Sequence, residues 1–281
     1  MNDKTLSEKV VIVTGAGSGL GKAMVLGLAA EGARVTALDI NHDAAKATAN
    51  EASGGTVLPL AADVTQEADC AEAVQSSMTE FKGLHVLVNC AGLGMPTLKR
   101  DYMVNRLNFW EADPDRWQRL INVNVRGPFL MARAAAPHMI AQGWGRIVNV
   151  TTSFNTMMRG GNMPYGQSKA ALEAASASWA DDLADTGVTC NVLIPGGAAD
   201  TPMIPEDSPY DRSKLNPPVV MVAPICWLAS EASDGITGRR FIGRDWDPAA
   251  DPSAAEKAAS APIAWPDLAA KASTKQPKIE T

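Results

Sequence analysis

The amino-acid sequence predicts an α/β protein, a single doubly wound domain with a seven-stranded parallel sheet flanked by helices. Three observations carry that expectation. Short apolar, β-branched runs alternate with longer alanine-rich stretches up to about residue 245, the pattern of strand–helix units that build a parallel sheet. The runs are continuously apolar rather than alternating, as suits strands covered on both faces. A glycine-rich turn containing Gly15, Gly19 and Gly21 falls between the first run and the first helical stretch.

The strand candidates, in order, are Val10–Thr14, Arg34–Asp39, Thr56–Leu60, Leu84–Asn89, Arg146–Val150 and Val188–Ile194, with a weaker run at Arg239–Gly243. Helices are predicted near 20–31, 43–52, 66–81, 115–141, 165–185 and 219–230. No repeat or linker interrupts this alternation. After Asp247 the composition shifts to Ala, Pro and Lys without clear period. Residues 1–247 are therefore read as one domain, and 248–281 as a tail that is disordered or packed on a neighbouring subunit.

Bulk properties narrow the function classes. With 46% apolar and 20% charged residues among 281, the chain can bury one substantial core. The net charge of −6 and the lack of a long basic run argue against nucleic acid or an anionic membrane as partner. No apolar run nears the ~18 residues of a membrane span, and MNDKTLSEKV offers no signal segment. Cys70, Cys90, Cys190 and Cys226 are scattered, so a reducing cytoplasm is the expected location. His42, His85 and His138 are equally dispersed, and no metal site is expected.

The stretch VVIVTGAGSGLGKA joins the first strand to the first helix. Its glycines let the backbone turn sharply and approach a pyrophosphate, while the helix N-terminus offers unpaired N–H groups and a positive dipole end. Asp39, ending the second strand, can accept from both hydroxyls of a ribose and would repel a 2′-phosphate. No Lys or Arg lies between Gly15 and Gly21 to offset such a phosphate. The expected architecture is thus Rossmann-like and the expected cofactor NAD.

Tyr165 and Lys169 stand four residues apart, a spacing that puts both on one helix face. A free tyrosine, with a pKa of ~10, is a poor base near neutrality. A nearby ammonium favours the phenolate, which would make Tyr165 a general acid/base for a carbinol proton. Pro164 suits the first turn of that helix.

These motifs resemble the short-chain dehydrogenase/reductase family over roughly residues 5–245. Thr14-Gly15-xxx-Gly19-x-Gly21 looks like its cofactor motif, and the resemblance implies contacts from Ser18 and Leu20 in that loop and from Ile40 after Asp39. Asp63-Val64 resembles its adenine pair, and Asn89-Cys90-Ala91-Gly92 its Asn-Asn-Ala-Gly, with Cys90 in place of the second Asn. Pro195-Gly196 matches the turn after the sixth strand. Asn124 matches the tetrad asparagine, and the resemblance implies that Lys169 also holds the nicotinamide ribose and shares a proton relay with Asn124. A substrate-orienting hydroxyl is expected after the fifth strand. Family spacing favours Thr152, residue type favours Ser153.

Three departures stand out. The stretch from Gly92 to Asn124 is about ten residues longer than usual, and its aromatic side chains Tyr102, Phe109, Trp110 and Trp117 are interspersed with Arg100 and Arg106. It is expected to wall the substrate pocket and to favour an apolar or aromatic small molecule. Asp200 takes the place of the threonine that usually follows Pro-Gly, with Thr201 one residue later. GRDWDP replaces the usual ending after the last strand. Met157, Met158 and Met163 suit either core or a pocket wall. The expected activity is hydride transfer between NAD and a secondary alcohol or ketone. The alternatives are NADP-dependent carbonyl reduction and a non-catalytic cofactor-binding regulator. Alanines at 170, 171, 174, 175 and 177 permit close helix packing, and the resemblance implies a homodimer or homotetramer.

Overall fold

In the computed structural model, which describes residues 5–267, one mixed sheet runs through the molecule. Its strands are β1 (Val10–Thr14), β2 (Arg34–Asp39), β3 (Thr56–Ala61), β4 (Val86–Asn89), β5 (Gly145–Val150), β6 (Val188–Ile194), β7 (Arg239–Ile242) and β8 (Ser260–Pro262). They lie in the order β3-β2-β1-β4-β5-β6-β7-β8, with every pair parallel except β7 and β8.

The continuous apolar runs are explained by a separate core on each face. Val11 and Val13 of β1 pack with Met24, Val25 and Leu28 of α1 (Gly19–Ala30) and with Ile225 and Leu228 of α8 (Val222–Leu228). Ile12 between them faces the other way, into a cluster with Leu87, Ile147, Val74 of α3 (Glu67–Phe81) and Met131 and Met139 of α5 (Gly127–Gln142). Each such fully buried aliphatic side chain contributes about 1.5–3 kcal/mol. Local signals set the helix ends. Asn41 caps α2 (His42–Glu51) by accepting from Ala44 N–H at 3.1 Å, and Asp113 caps α4 (Pro114–Ile121) by accepting from Arg116 N–H at 2.9 Å. Gly143, at φ 72°, ends α5.

Three expectations need correction. The single helix at 115–141 is α4 and α5 joined by a π-turn at Asn122–Arg126, where Pro128 lacks the N–H of a continuous α-helical ladder. A short helix α6 (Phe154–Met158) precedes α7 (Tyr165–Asp182) and has no periodicity long enough to read. The sheet has eight strands, because the tail returns through α9 (Pro252–Ala259) and β8 to pair antiparallel with β7 of the same chain, Arg240 opposite Ala261. A three-residue strand containing Pro262 carries no sequence pattern, and its pairing is decided by the open edge of β7. The tail beyond residue 267 lies outside the described residues.

Candidate active site

Chain order reverses beside β1, which neighbours β2 on one side and β4 on the other. The crevice at the carboxyl ends of such strands is where doubly wound sheets hold ligands. Here it is a cavity of about 1290 Å³ bordered by the ends of β1, β2, β4, β5 and β6.

The glycine turn forms its floor. Gly15 has φ 68°, and a Cβ there would stand 2.8 Å from the Ala91 Cα. A Cβ on Gly21 would stand 2.1 Å from the Gly15 carbonyl oxygen, so strand, turn and helix close up only without side chains. Ser18 is the N-cap of α1 but makes no side-chain cap bond, leaving the first-turn N–H groups facing the cavity. The Thr14 hydroxyl accepts from Cys90 N–H and Ala91 N–H, both at 3.0 Å, and so ties the end of β1 to the segment after β4. Asp39 accepts from Gly17 N–H and Asn41 N–H, each at 2.9 Å, which fixes its carboxylate on the rim. Beside it lie Ile40, 71% exposed, and Asp63-Val64. A side-chain-free cradle with unpaired N–H groups and a carboxylate at one end fits a dinucleotide.

At the other end Tyr165 opens α7 and Lys169 follows one turn later. Lys169 is 4% exposed, and its ammonium donates to the Val150 carbonyl at 2.8 Å. Burial pushes its pKa down to about 8. Burial raises the Tyr165 phenol, and the Thr152 hydroxyl beside it draws it back down by hydrogen bonding. Sequence reasoning assigned that acidifying pull to Lys169; here the ammonium is engaged with Val150. The neighbouring Cys90 thiol is half-buried, and desolvation pushes it up to about 12, so it stays neutral.

The two candidate hydroxyls separate. Thr152 lines the cavity, whereas Ser153 is the N-cap of α6, accepting from Thr156 N–H at 3.3 Å and sharing a 2.8 Å hydrogen bond with the Thr156 hydroxyl. Asn124 is fully buried behind the cavity. Its amide accepts from Leu93 N–H at 2.8 Å and donates to the Leu93 carbonyl at 2.9 Å and the Ser168 hydroxyl at 3.0 Å. Asn89 is also set back, donating to Asn149 Oδ1 at 2.9 Å beneath the strand ends. Gly92, Pro195 and Thr201 border the cavity, while Gly196, at φ 92°, only turns the chain behind it.

The long segment after β4 does wall the cavity, through Leu93, Met95, Tyr102, Met103 and Arg106. Its most prominent aromatics do not. Phe109 and Trp110 are 69% and 70% exposed and meet each other edge to face at 5.0 Å, because the short helical turn carrying them faces solvent. Trp117 and Arg100 are also off the wall, Arg100 being paired with Asp207. Of these methionines, Met157 is the buried residue of α6 and Met158 is 73% exposed; neither they nor Met163 border the cavity.

One element of the site escaped the sequence altogether. Arg240 of β7 and Glu173 of α7 form a buried ion pair at 2.5 Å. Arg240 also donates to the Thr152 carbonyl at 2.6 Å, and Glu173 accepts from the Thr151 hydroxyl at 2.7 Å and from Ala264 N–H at 3.3 Å. The network holds the backbone under Thr152. Its partners lie 67 and 88 residues apart in sequence, and an acid in an alanine-rich helix was the single available hint.

Comparisons with known proteins agree with this geometry. A family model described as short chain dehydrogenase matches residues 9–211. Over 244 residues the chain is 33% identical to the 2,5-dichloro-2,5-cyclohexadiene-1,4-diol dehydrogenase of Sphingobium indicum, covering 83% of this chain and 93% of that protein. A short-chain type dehydrogenase/reductase from Mycobacterium marinum is similar with a TM-score of 0.74 and 27% identity, over 86% of this chain and 95% of that one. The 3-ketoacyl-(acyl-carrier-protein) reductase from Brucella melitensis, complexed with NADH, is similar with a TM-score of 0.72 and 29% identity, over 82% and 93%.

Proposed function

Because the chain belongs to the short-chain dehydrogenase family, we propose that it transfers a hydride between NAD and a secondary alcohol or ketone of apolar or aromatic character, with Tyr165 as general acid/base. The observation that carries this reading is the convergence of Tyr165, Thr152 and Lys169 on the same cavity as the glycine cradle.

NAD, when bound, supplies the hydride acceptor for alcohol oxidation and, reduced, the donor for ketone reduction. Everything else falls to the chain. The Tyr165 oxygen takes the carbinol proton in oxidation and returns it in reduction. The Thr152 hydroxyl adjoins the phenol and is suited to donate to the substrate oxygen, and we assign it the orienting role in place of Ser153. Lys169 would hold the nicotinamide ribose, and Asn124 braces the Leu93 backbone and the Ser168 hydroxyl against α7. Gly15, Ser18, Gly19, Leu20 and Gly21 would hold the pyrophosphate, with Asp39 on the adenine ribose.

NAD is preferred to NADP in this reading on charge. Asp39 sits on the rim and forms no ion pair with a Lys or Arg among the described residues, and Lys22 of the first helix is paired with Glu51 at 2.7 Å. Assembly as a homodimer or homotetramer is supported by α7, whose Ala171 and Ala174 are exposed, and by Phe129 of α5, 49% exposed. The four cysteines are unpaired and no helix among the described residues is long and apolar enough to cross a membrane; both suit the cytoplasmic location we assign.

The deciding experiment follows nicotinamide absorbance near 340 nm across a panel of secondary alcohols and ketones, with NAD and NADP side by side. Turnover with NAD on an aryl or alkyl carbinol is the expected result. Cofactor binding without turnover on any member would favour the regulatory alternative.

A further inference from the structure

The chain has three tyrosines, and all three border the cavity. Tyr165 is the acid/base of the proposed reaction. Tyr102 comes from the long segment after β4 and Tyr210 from the loop after β6, and Tyr102 and Tyr165 pack against the same apolar cluster, with Tyr210 and Arg159 in the neighbourhood of Tyr102. Met103, Met203 and Ile204 complete this wall.

Charges on this side of the cavity are unevenly matched. Arg100 is paired with Asp207 at 3.3 Å and Arg212 with Asp200 at 2.6 Å, while Arg116 donates to the Leu98 carbonyl at 3.1 Å. Arg119, on the rim, follows Asp115 by one helical turn but forms no ion pair with it among the described residues. Arg106 and Arg159 are unmatched too, and they lie side by side. Both border the cavity, and among the described residues neither guanidinium meets a carboxylate or any hydrogen-bond acceptor.

The two come together at one place. The Arg106 side chain lies across Gly160 and Gly161: a Cβ on Gly160 would stand 2.1 Å from Arg106 Nη2, and one on Gly161 2.7 Å from Arg106 Cγ. The two exposed arginines thus meet at one stretch, with Arg106 lying over the two residues that directly follow Arg159. In a chain of net charge −6, two adjacent unmatched guanidiniums beside a tyrosine- and methionine-lined wall of the cavity favour an anionic ligand, and planar guanidinium geometry favours a carboxylate.

We infer that the substrate is an aromatic or apolar secondary alcohol, or its ketone, that also bears a carboxylate, and that Arg106 and Arg159 bind that carboxylate while Tyr165 works on the carbinol. This inference rests on the dehydrogenase reading and adds the substrate's charge to it.

The test compares 4-(1-hydroxyethyl)benzoate with its methyl ester in wild type, Arg106→Gln, Arg159→Gln and the double variant. Wild type should favour the acid over the ester in kcat/KM by about tenfold or more, the worth of a charge-assisted hydrogen bond. That preference should shrink with added salt and collapse in the double variant. Calorimetry with 4-acetylbenzoate on the NAD-loaded protein should follow the same order, and it does not depend on turnover. Equal handling of acid and ester by wild type, or an acid preference that survives in the double variant, would overturn the inference. If neither alcohol is oxidised while 4-acetylbenzoate binding depends on both arginines, the carboxylate site stands and the dehydrogenase reading is what fails.

Discussion

The two halves of the cavity are built by different means. The cofactor half consists mostly of backbone. Its shape comes from Gly15, Gly19 and Gly21, its carboxylate is pinned twice by N–H groups, and the segments after β1 and β4 are tied through the Thr14 hydroxyl. The substrate half consists of side chains from three separate segments, around residues 93–106, 152–162 and 198–210. Its charged groups are partly unmatched, and the adjoining Phe109 and Trp110 lie in solvent. Backbone cradles suit a ligand whose phosphates and riboses never vary. A side-chain wall can be altered residue by residue without disturbing the sheet, which leaves substrate choice separable from cofactor binding.

Tyr165→Phe probes the seam between the halves and should have the largest effect. Loss of the phenolic hydroxyl is expected to lower kcat by about 10²–10⁴-fold, with NADH binding by fluorescence and the melting transition retained. Turnover close to wild type would end the acid/base assignment. Asp39→Ala tests the cofactor half alone. The preference for NAD over NADP should narrow by ~1.5–3 kcal/mol, roughly 10- to 150-fold, with little change in substrate KM. A wild-type preference for NADP would show that Asp39 has been misread.

Thr152→Val against Ser153→Ala tests the division between two adjacent hydroxyls. Burial raises the Tyr165 phenol and Thr152 opposes it. Alcohol oxidation needs the deprotonated phenol, so its rate should climb with pH, while ketone reduction, which needs the protonated form, should fall on the alkaline side. Removing the Thr152 hydroxyl takes away the downward pull, so the oxidation limb should move to higher pH and kcat should drop by about tenfold. Ser153→Ala should instead cost about 1 kcal/mol of stability through the lost cap, with the pH profile in place. The reverse outcome would restore Ser153. The smallest effect belongs to the exposed pair. Tyr102→Ala should raise KM, whereas Phe109→Ala and Trp110→Ala should leave KM as in wild type. A raised KM in Trp110→Ala would bring that turn onto the wall.

What was legible in the sequence follows the same division. All seven parallel strands were readable, the central ones because burial on both faces leaves an uninterrupted apolar run such as Val10–Val13, the edge strand β3 by its apolar residues alone. The glycine cradle was readable because its demands are local, a positive φ at Gly15 and no room for a Cβ at Gly21. The break between α4 and α5 was not, since the helical pattern continues across Asn122–Arg126 and the π-turn is a matter of how the ladder is repacked. The aromatic richness of the long segment indicated a wall, but counting aromatics does not say which ones turn inward.

By itself the sequence determined the strand–helix alternation, the cradle and the Tyr165–Lys169 pair, because each depends on residues within a few positions of one another and on backbone rules that act at that range. Tertiary structure alone decided that Thr152 rather than Ser153 meets Tyr165, that Arg106 and not Trp110 reaches the cavity, and that the tail adds β8 and brings Ala264 N–H onto Glu173. In each case neighbouring residues have nearly the same local preferences. The choice between them falls to contacts with partners tens of residues away, such as the Arg240 guanidinium that takes the Thr152 carbonyl from 88 positions along the chain, and the free energy of those contacts exists only once the chain has folded.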